Sequence, residues 1–331
     1  MVYKQRETGF YSMTDVLALA EEIIKGRRLK REDDASFFLT AEITELQKGA
    51  DKIREKLCGN QVDLCSIING RSGRCSEDCK FCAQSGHHCT SIEEYPFLDI
   101  ETIVSDAKKH EEKGVRRYSI VTAGRSLGKD YEKAKEAYQA IHQACPKLGL
   151  CASHGLLSRE EFEGLKAAGV TRYHANIETS RRNFPNICTT HTYGDKIEKI
   201  KLAKEVGLRV CSGGIIGMGE TWEDRIDMAF SLAELEVDSI PINVLSQIPG
   251  TPYEKQEPLT EEDILRTVAI FRYINPTALV RIAAGRFRFP DGGRVLFESG
   301  INATITGDML TTVGNTIEED LKMFADMNLS V

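Results

Sequence analysis

Two rhythms divide the chain. Up to about residue 60, apolar side chains recur at helical spacing: "TDVLALAEEIIKGRR" sets them behind Thr14, a helix-capping residue, and "TAEITELQKGADKIREKL" repeats the pattern. From about residue 61, short apolar runs alternate with amphipathic stretches. The clearest unit joins strand-like "LGLCASHG" (148–155) to "SREEFEGLKAAG", where Ser158 and Glu161 have capping-box spacing and Gly169 marks the stop. The strand "VTRYHANIE" (170–178) follows, then a helix in "YGDKIEKIKLAKEVG" (193–207), again ended by glycine, then the strand "LRVCSGGIIG". "VDSIPINVL" (237–245), "ALVRIAAG" (278–285) and "ESGINATIT" (298–306) continue the series that "VDLCSII" and "RRYSIVTAG" begin. About eight strands alternating with helices predict an α/β fold, a (βα)8 TIM-type barrel in preference to an open sheet, which periodicity alone does not exclude. No low-complexity linker interrupts the series. Residues 1–60 therefore read as an N-terminal helical extension and 61–331 as one catalytic barrel.

Composition narrows function by exclusion. The 331 residues are 41% hydrophobic and 28% charged, the balance of a folded globular chain. A net charge of −7 implies no basic face, so nucleic acid is not an expected partner. No apolar run approaches the roughly 18 residues that cross a bilayer. The opening "MVYKQRETGFYSMTD" lacks the apolar core and small-residue cleavage site of a secretory signal. A cytoplasmic protein without a membrane partner is expected. In that reducing compartment ten cysteines read better as metal ligands than as disulfides.

Three of them crowd into "CSEDCKFC": Cys75, Cys79 and Cys82. Thiolates select iron–sulfur clusters or zinc. A structural zinc site takes a fourth ligand, which His87, His88 or Cys89 would supply. A four-iron cubane held by three thiolates instead leaves one iron open to a substrate. In a parallel barrel, chemistry gathers at the C-terminal ends of the strands, and this loop follows the first strand.

C-x-x-x-C-x-x-C with an aromatic before the last cysteine resembles the signature of the radical S-adenosylmethionine enzymes. The resemblance implies a 4Fe–4S cluster whose open iron binds the amino and carboxylate groups of S-adenosylmethionine. It also implies reductive cleavage of that cosubstrate to methionine and a 5'-deoxyadenosyl radical, with Phe81 near the adenine. Further along, from about residue 60 to 325, the chain is similar to the biotin synthases. "HANIETS" (174–180) resembles their fourth-strand segment, which implies that Asn176 contacts substrate and that Glu178, where aspartate is common, holds the ribose. His174 stands where an asparagine often touches substrate. "TTHTYGDK" (189–196) resembles the clamp on the methionyl carboxylate, with Lys196 giving a point charge where arginine offers a fork. "VCSGGIIGMGET" (210–221), with Ile215 by the adenine, and "PINVLSQIPGTP" (241–252) are the most specific matches. The glycines of "GGIIGMGE" do not fit the G-x-G-x-x-G dinucleotide fingerprint.

The family also implies a buried auxiliary iron–sulfur cluster as sulfur donor, 2Fe–2S in familiar members. Its ligands there are cysteines on the second, third and fifth strands and an arginine on the seventh. Cys151, Cys211 and Arg281 match, but the second-strand position is Ser119, a hard and weakly acidic donor. Cys65 appears on the first strand where serine is usual, and alternation that turns Cys65 inward turns Ser66 outward. Cys65, Cys151, Cys211 and Arg281 thus form an expected changed ligand set, with a four-iron cluster carrying an extra sulfide as one alternative and Cys65 as a small buried hydrophobe as the other. Cys145 reads as structural, and Cys188 lies near the methionyl loop. Cys58 and Cys89 read as spare thiols or sulfur relays, and His154 is expected to face the barrel mouth with His174. The implied reaction converts dethiobiotin to biotin, with flavodoxin or ferredoxin as electron donor, iron–sulfur assembly machinery as partner and a homodimer as the assembly. The competing expectations are a barrel relative such as a hydrogenase-cofactor maturase or amino-acid mutase, and, in another class, a non-catalytic iron–sulfur or zinc protein.

Overall fold

The computed structural model of the protein describes residues 15–307, 310 and 314–331. Its strands are β1 (Asp63–Arg71), β2 (Arg117–Thr122), β3 (Gly149–Ser153), β4 (Val170–His174), β5 (Arg209–Cys211), β6 (Gly214–Ile216), β7 (Ser239–Val244), β8 (Leu279–Ile282) and β9 (Ala303–Ile305). All pair in parallel, in the order β5-β4-β3-β2-β1-β9-β8-β7-β6, and a β5–β7 pairing of Cys211 with Ser239 closes the sheet into a barrel. The fold is the expected (βα)8 barrel, with one refinement. β5 and β6 are two halves of the fifth predicted strand, parted at Ser212 and Gly213.

The break has a steric cause. A Cβ on Gly213 would sit 2.0 Å from the Pro241 carbonyl oxygen, and one on Gly214 would sit 2.4 Å from that of Glu178. Only glycine lets three backbones approach so closely. Asn176 Oδ1 accepts from the Gly213 N–H at 3.0 Å, so the interrupted ladder leaves that donor satisfied. The glycines of this segment thus serve its own neighbours.

Local signals set the helix ends. Ser158 and Glu161 form a reciprocal capping box on the helix Arg159–Ala167, and Thr192 and Asp195 do the same for Tyr193–Val206, which ends on left-handed Gly207. Thr14 lies outside the described residues. The helix Val16–Ile24 is capped by Asp15, whose carboxylate accepts from the N–H groups of Leu17 and Ala18.

The helix Ile43–Cys58 buries Leu46, Ala50 and Ile53 and packs on the barrel helix Glu261–Ile274. Tyr273 crosses this seam, its hydroxyl donating to the Val16 carbonyl at 2.8 Å. A Cβ on Gly49 would fall 1.8 Å from that hydroxyl oxygen. Gly49→Ala should therefore lower stability by about 1–3 kcal/mol through overpacking. Urea unfolding of the metal-free chain checks this, and an unchanged midpoint would mean that the phenol simply swings aside.

His154 is not at the barrel mouth. It is fully buried between β3 and the helix Tyr131–Ala144, with Nδ1 2.9 Å from Thr122 Oγ1 and Nε2 2.8 Å from the Tyr138 hydroxyl. Burial drives its pKa down to about 3. An unfolded histidine titrates near 6.5, so between those values the unfolded chain binds the extra proton and stability is lost as the pH falls. From pH 7 to 5 this one group should cost on the order of 2 kcal/mol. Urea midpoints at the two pH values should separate less in His154→Asn; equal separation would remove the histidine from the account.

Candidate active site

Beyond β1 the chain enters a long loop. Gly73 and Arg74 take left-handed φ, and the Cys75 N–H donates to the Gln84 carbonyl while the Gly86 N–H returns to that of Cys75. The Cys82 N–H bonds the Cys79 carbonyl at 3.0 Å. These turns fold the loop back on itself and hold Cys75, Cys79 and Cys82 in it. Straps then fix the loop to the segment before the helix Tyr193–Val206. Asp78 accepts from the N–H groups of Thr189 (2.8 Å) and Thr190 (3.1 Å), and the Lys80 N–H donates to Ile187.

The donor spacing bears on which metal fits. Thiolates about 2.3 Å from one tetrahedral zinc lie roughly 3.8 Å apart. The three thiols do not all lie within 4.8 Å of one another, and among the described residues His87, His88 and Cys89 complete no such group. The His87 and His88 rings instead bond the carbonyls of Ser76 and Cys79, each at 3.0 Å. A cubane spreads its thiolates wider than a single ion does, so the set fits a four-iron cluster better than zinc.

The structure brings Cys188 and His191 to the same place, a juxtaposition the sequence did not reveal. Cys188 Sγ is 3.7 Å from Cys79 Sγ and 3.3 Å from His191 Nδ1, which also meets Glu77 at 2.6 Å. Cys79 donates to Cys188, and together with burial this pushes the Cys79 thiol far up. The same bond, against burial and with help from His191, draws Cys188 down to about 4. Cys79 would serve as a ligand only once a metal displaced its proton. Cys188→Ser is expected to leave iron content unchanged, because three thiolates suffice. A colorimetric assay showing a loss of about four irons would make Cys188 a ligand instead.

A cavity of about 350 Å³ opens beneath this loop and runs into the barrel. Phe81, Cys82, Glu178 and Ile215 line it, as do His174 and Asn176, Ser119, and the group Cys65, Cys151, Cys211 and Arg281. The ladder sets their levels: Cys151 lies opposite Ser119 on one side and Arg172 on the other, and Cys211 lies opposite His174. Along β4 and its continuation, Arg172, His174, Asn176 and Glu178 climb toward the rim. Lys196 lies outside this lining, half-buried on the first turn of its helix, with no ion-pair partner among the described residues. Burial raises the Glu178 carboxyl, and the nearby charge of Lys196 opposes it. Glu178 also has a left-handed φ of 67°, a strained conformation of the kind that collects at functional sites, and it accepts from Asn176 Nδ2 at 3.3 Å. Burial lowers His174 to about 4, so it meets Cys211 Sγ at 3.4 Å as a neutral ring.

Asp63, Arg117 and Arg172 were not singled out from sequence; Arg172 lines the deep end, and Asp63 and Arg117 lie behind it, lining a second cavity. Arg117 Nε reaches Asp63 Oδ2 at 2.7 Å, and Arg281 Nη2 bonds Asp63 Oδ1. Arg281 therefore lines the cavity with its guanidinium committed to Asp63 and to the Thr304 carbonyl. Burial opposes the Asp63 charge, but Arg281, Arg117 and Arg172 outweigh it and hold the carboxyl well below its ordinary range. The Cys65 thiol donates to the Ser66 carbonyl at 3.5 Å, and the neighbouring Cys151 thiol, with burial, pushes Cys65 up. The neighbouring Cys65, with Arg172 and Arg117 against burial, draws Cys151 down. The other cysteines are bland. Cys58 bonds Arg272 and the Pro276 carbonyl, Cys145 is a buried helix end, and Cys89 is exposed.

Comparison with known proteins adds the family context. Residues 69–232 match the Radical SAM superfamily model, and 241–330 match the Biotin and Thiamin Synthesis associated domain. The chain is 65% identical to a biotin synthase of Alkaliphilus metalliredigens, covering 95% of this chain and 98% of the relative. It is 64% identical to one from Clostridium beijerinckii, covering 95% and 99%. Among solved structures, methylornithine synthase (PylB) superposes with a TM-score of 0.82 at 20% identity, over 94% of this chain and 96% of that one. HydG, a maturase of the [FeFe]-hydrogenase, also scores 0.82, at 17% identity over 96% and 75%. At such identities these structures share the fold alone.

Proposed function

The chain belongs to the biotin synthase family of radical S-adenosylmethionine enzymes, and from that premise we propose how its residues divide the conversion of dethiobiotin to biotin. The observation that carries the proposal is one cavity lined by Cys82 near its mouth and by Cys65, Cys151 and Cys211 within. Cys75, Cys79 and Cys82 would hold the 4Fe–4S cluster. When bound, that cluster supplies the electron that splits S-adenosylmethionine into methionine and a 5'-deoxyadenosyl radical. Cys65, Cys151 and Cys211 would hold the auxiliary cluster, which supplies sulfur. Two C–H bonds give way to two C–S bonds, so two molecules of S-adenosylmethionine are spent per biotin.

The protein's own task is placement. Phe81 and Ile215 offer apolar surface to the adenine, and Glu178, fixed by backbone strain and by Asn176, faces the ribose. Lys196 supplies the cation for the methionyl carboxylate. Asn176 and neutral His174 lie between the two thiol groups, where a ureido ring would be gripped by hydrogen bonds. The apolar walls keep water from the radical. Flavodoxin or ferredoxin would deliver electrons, iron–sulfur assembly machinery would load the clusters, and the working form would be a cytoplasmic homodimer. No helix among the described residues is long and apolar enough to cross a membrane.

Anaerobic protein given dithionite, S-adenosylmethionine and dethiobiotin should yield deoxyadenosine, methionine and biotin by mass spectrometry. Deoxyadenosine without biotin would point to another reaction of the same radical chemistry. None at all would end the assignment.

A further inference from the structure

Positive charge exceeds negative at the deep end of the cavity and just behind it. Arg117, Arg172 and Arg281 surround the single carboxylate of Asp63, a formal excess of two (three cations less one anion) before any sulfur is counted. Both Asp63 oxygens are already engaged, by Arg117 and Arg281. Arg172 Nη1 stays 3.9 Å away, beyond hydrogen-bond reach.

Arg172 also keeps buried donors without partners. Its side chain is 2% exposed, and its Nε and Nη2 have no hydrogen-bond partner among the described residues. These two atoms form one edge of the guanidinium, the fork with which arginine grips an anion bidentately. A buried cation with that edge empty calls for a partner that the protein itself does not provide. The side chain lines the cavity, and its residue stands directly opposite Cys151 on the neighbouring strand.

We infer that Arg172 holds the anionic sulfur of the auxiliary centre, its Nε–H and Nη2–H donating to thiolate or sulfide. Arg281, which the family resemblance places at this centre, has Nη1 and Nη2 on Asp63 and the Thr304 carbonyl, so Arg172 would add a second guanidinium. The inference rests on Cys65, Cys151 and Cys211 holding that centre. Depth favours sulfur over the substrate's carboxylate as the anion. Along β4, Arg172 lies below His174, Asn176 and Glu178, so a ligand entering from the rim meets the level of Cys211 first. A terminal sulfide, the most basic anion such a cluster could carry, would gain most from two charged donors.

The test uses full-length protein reconstituted anaerobically, wild type against Arg172→Gln and Arg172→Lys. Total iron, labile sulfide, the auxiliary midpoint potential by EPR-monitored titration and dethiobiotin affinity are measured for each. Removing a cation beside a cluster disfavours the reduced state, so glutamine should shift the midpoint to more negative values or lose the auxiliary iron. Lysine keeps the charge and removes the fork. It should stay near the wild-type midpoint yet release labile sulfide faster under reductant, which also covers a glutamine variant that misfolds. Wild-type midpoint and iron in the glutamine variant, wild-type sulfide retention in the lysine variant, or weakened dethiobiotin binding at an unchanged midpoint each overturn the inference. A wild-type protein with a single cluster ends the underlying two-centre reading as well, which separates that failure from this one.

Discussion

Cys82→Ala should abolish deoxyadenosine formation and remove about four irons per chain while leaving the barrel folded. The loop around it is held by backbone bonds at Cys75, Gln84 and Gly86 and by the Asp78 straps, none of which uses the thiol. The change therefore deletes a ligand with little other disturbance. With two thiolates in place of the proposed three, a 4Fe–4S cluster would lose a ligand. Burial raises the Cys82 thiol to about 11 in the metal-free chain, so ligation would rest on the metal itself displacing the proton. Deoxyadenosine by chromatography and iron by colorimetry are read on one preparation. Wild-type levels of both would remove Cys82 from the ligand set.

Cys65→Ser should separate the two centres. Cleavage of S-adenosylmethionine should persist, since Cys75, Cys79 and Cys82 are untouched, while biotin output falls to background and the auxiliary iron and sulfide are lost. The substitution is nearly isosteric in a buried position, so the fold has little reason to respond. Its chemistry is not conservative, because a hydroxyl is a hard donor that hardly ionises and iron–sulfur centres select soft thiolate. Total iron and sulfide at wild-type levels would return Cys65 to the role of a small buried hydrophobe.

Much of the fold was legible because it depends on local, periodic signals. The capping box at Ser158 was written in the spacing, and the β-runs fell where the strands form. The break between β5 and β6 was not legible. The glycines that permit it are plain in "SGG", but their cause is the approach of the Glu178 and Pro241 backbones from distant segments. The same holds for Cys188 and His191, which reach Cys79 through loop-to-loop straps that no spacing encodes.

The deep charge network was missed for a different reason, and it was recoverable. Strand side chains alternate with period two. Counting from the inward cysteines, Asp63 shares parity with Cys65, Arg117 with Ser119, and Arg172 with His174 and Asn176. The same count turns His154 away from the cavity, because Cys151 and Ser153 line it. Charges inside apolar runs were read past, although a buried, paired charge in a strand points to a site.

Mössbauer spectroscopy of anaerobically reconstituted, isotope-enriched protein tests the central claim most directly, that two sets of thiols along one cavity hold two iron–sulfur centres. The account predicts two distinct cluster signals in the wild type. Cys82→Ala should remove the one that answers to S-adenosylmethionine, and Cys65→Ser should remove the other. A single cluster signal in the wild type, or zinc in place of iron, would contradict it.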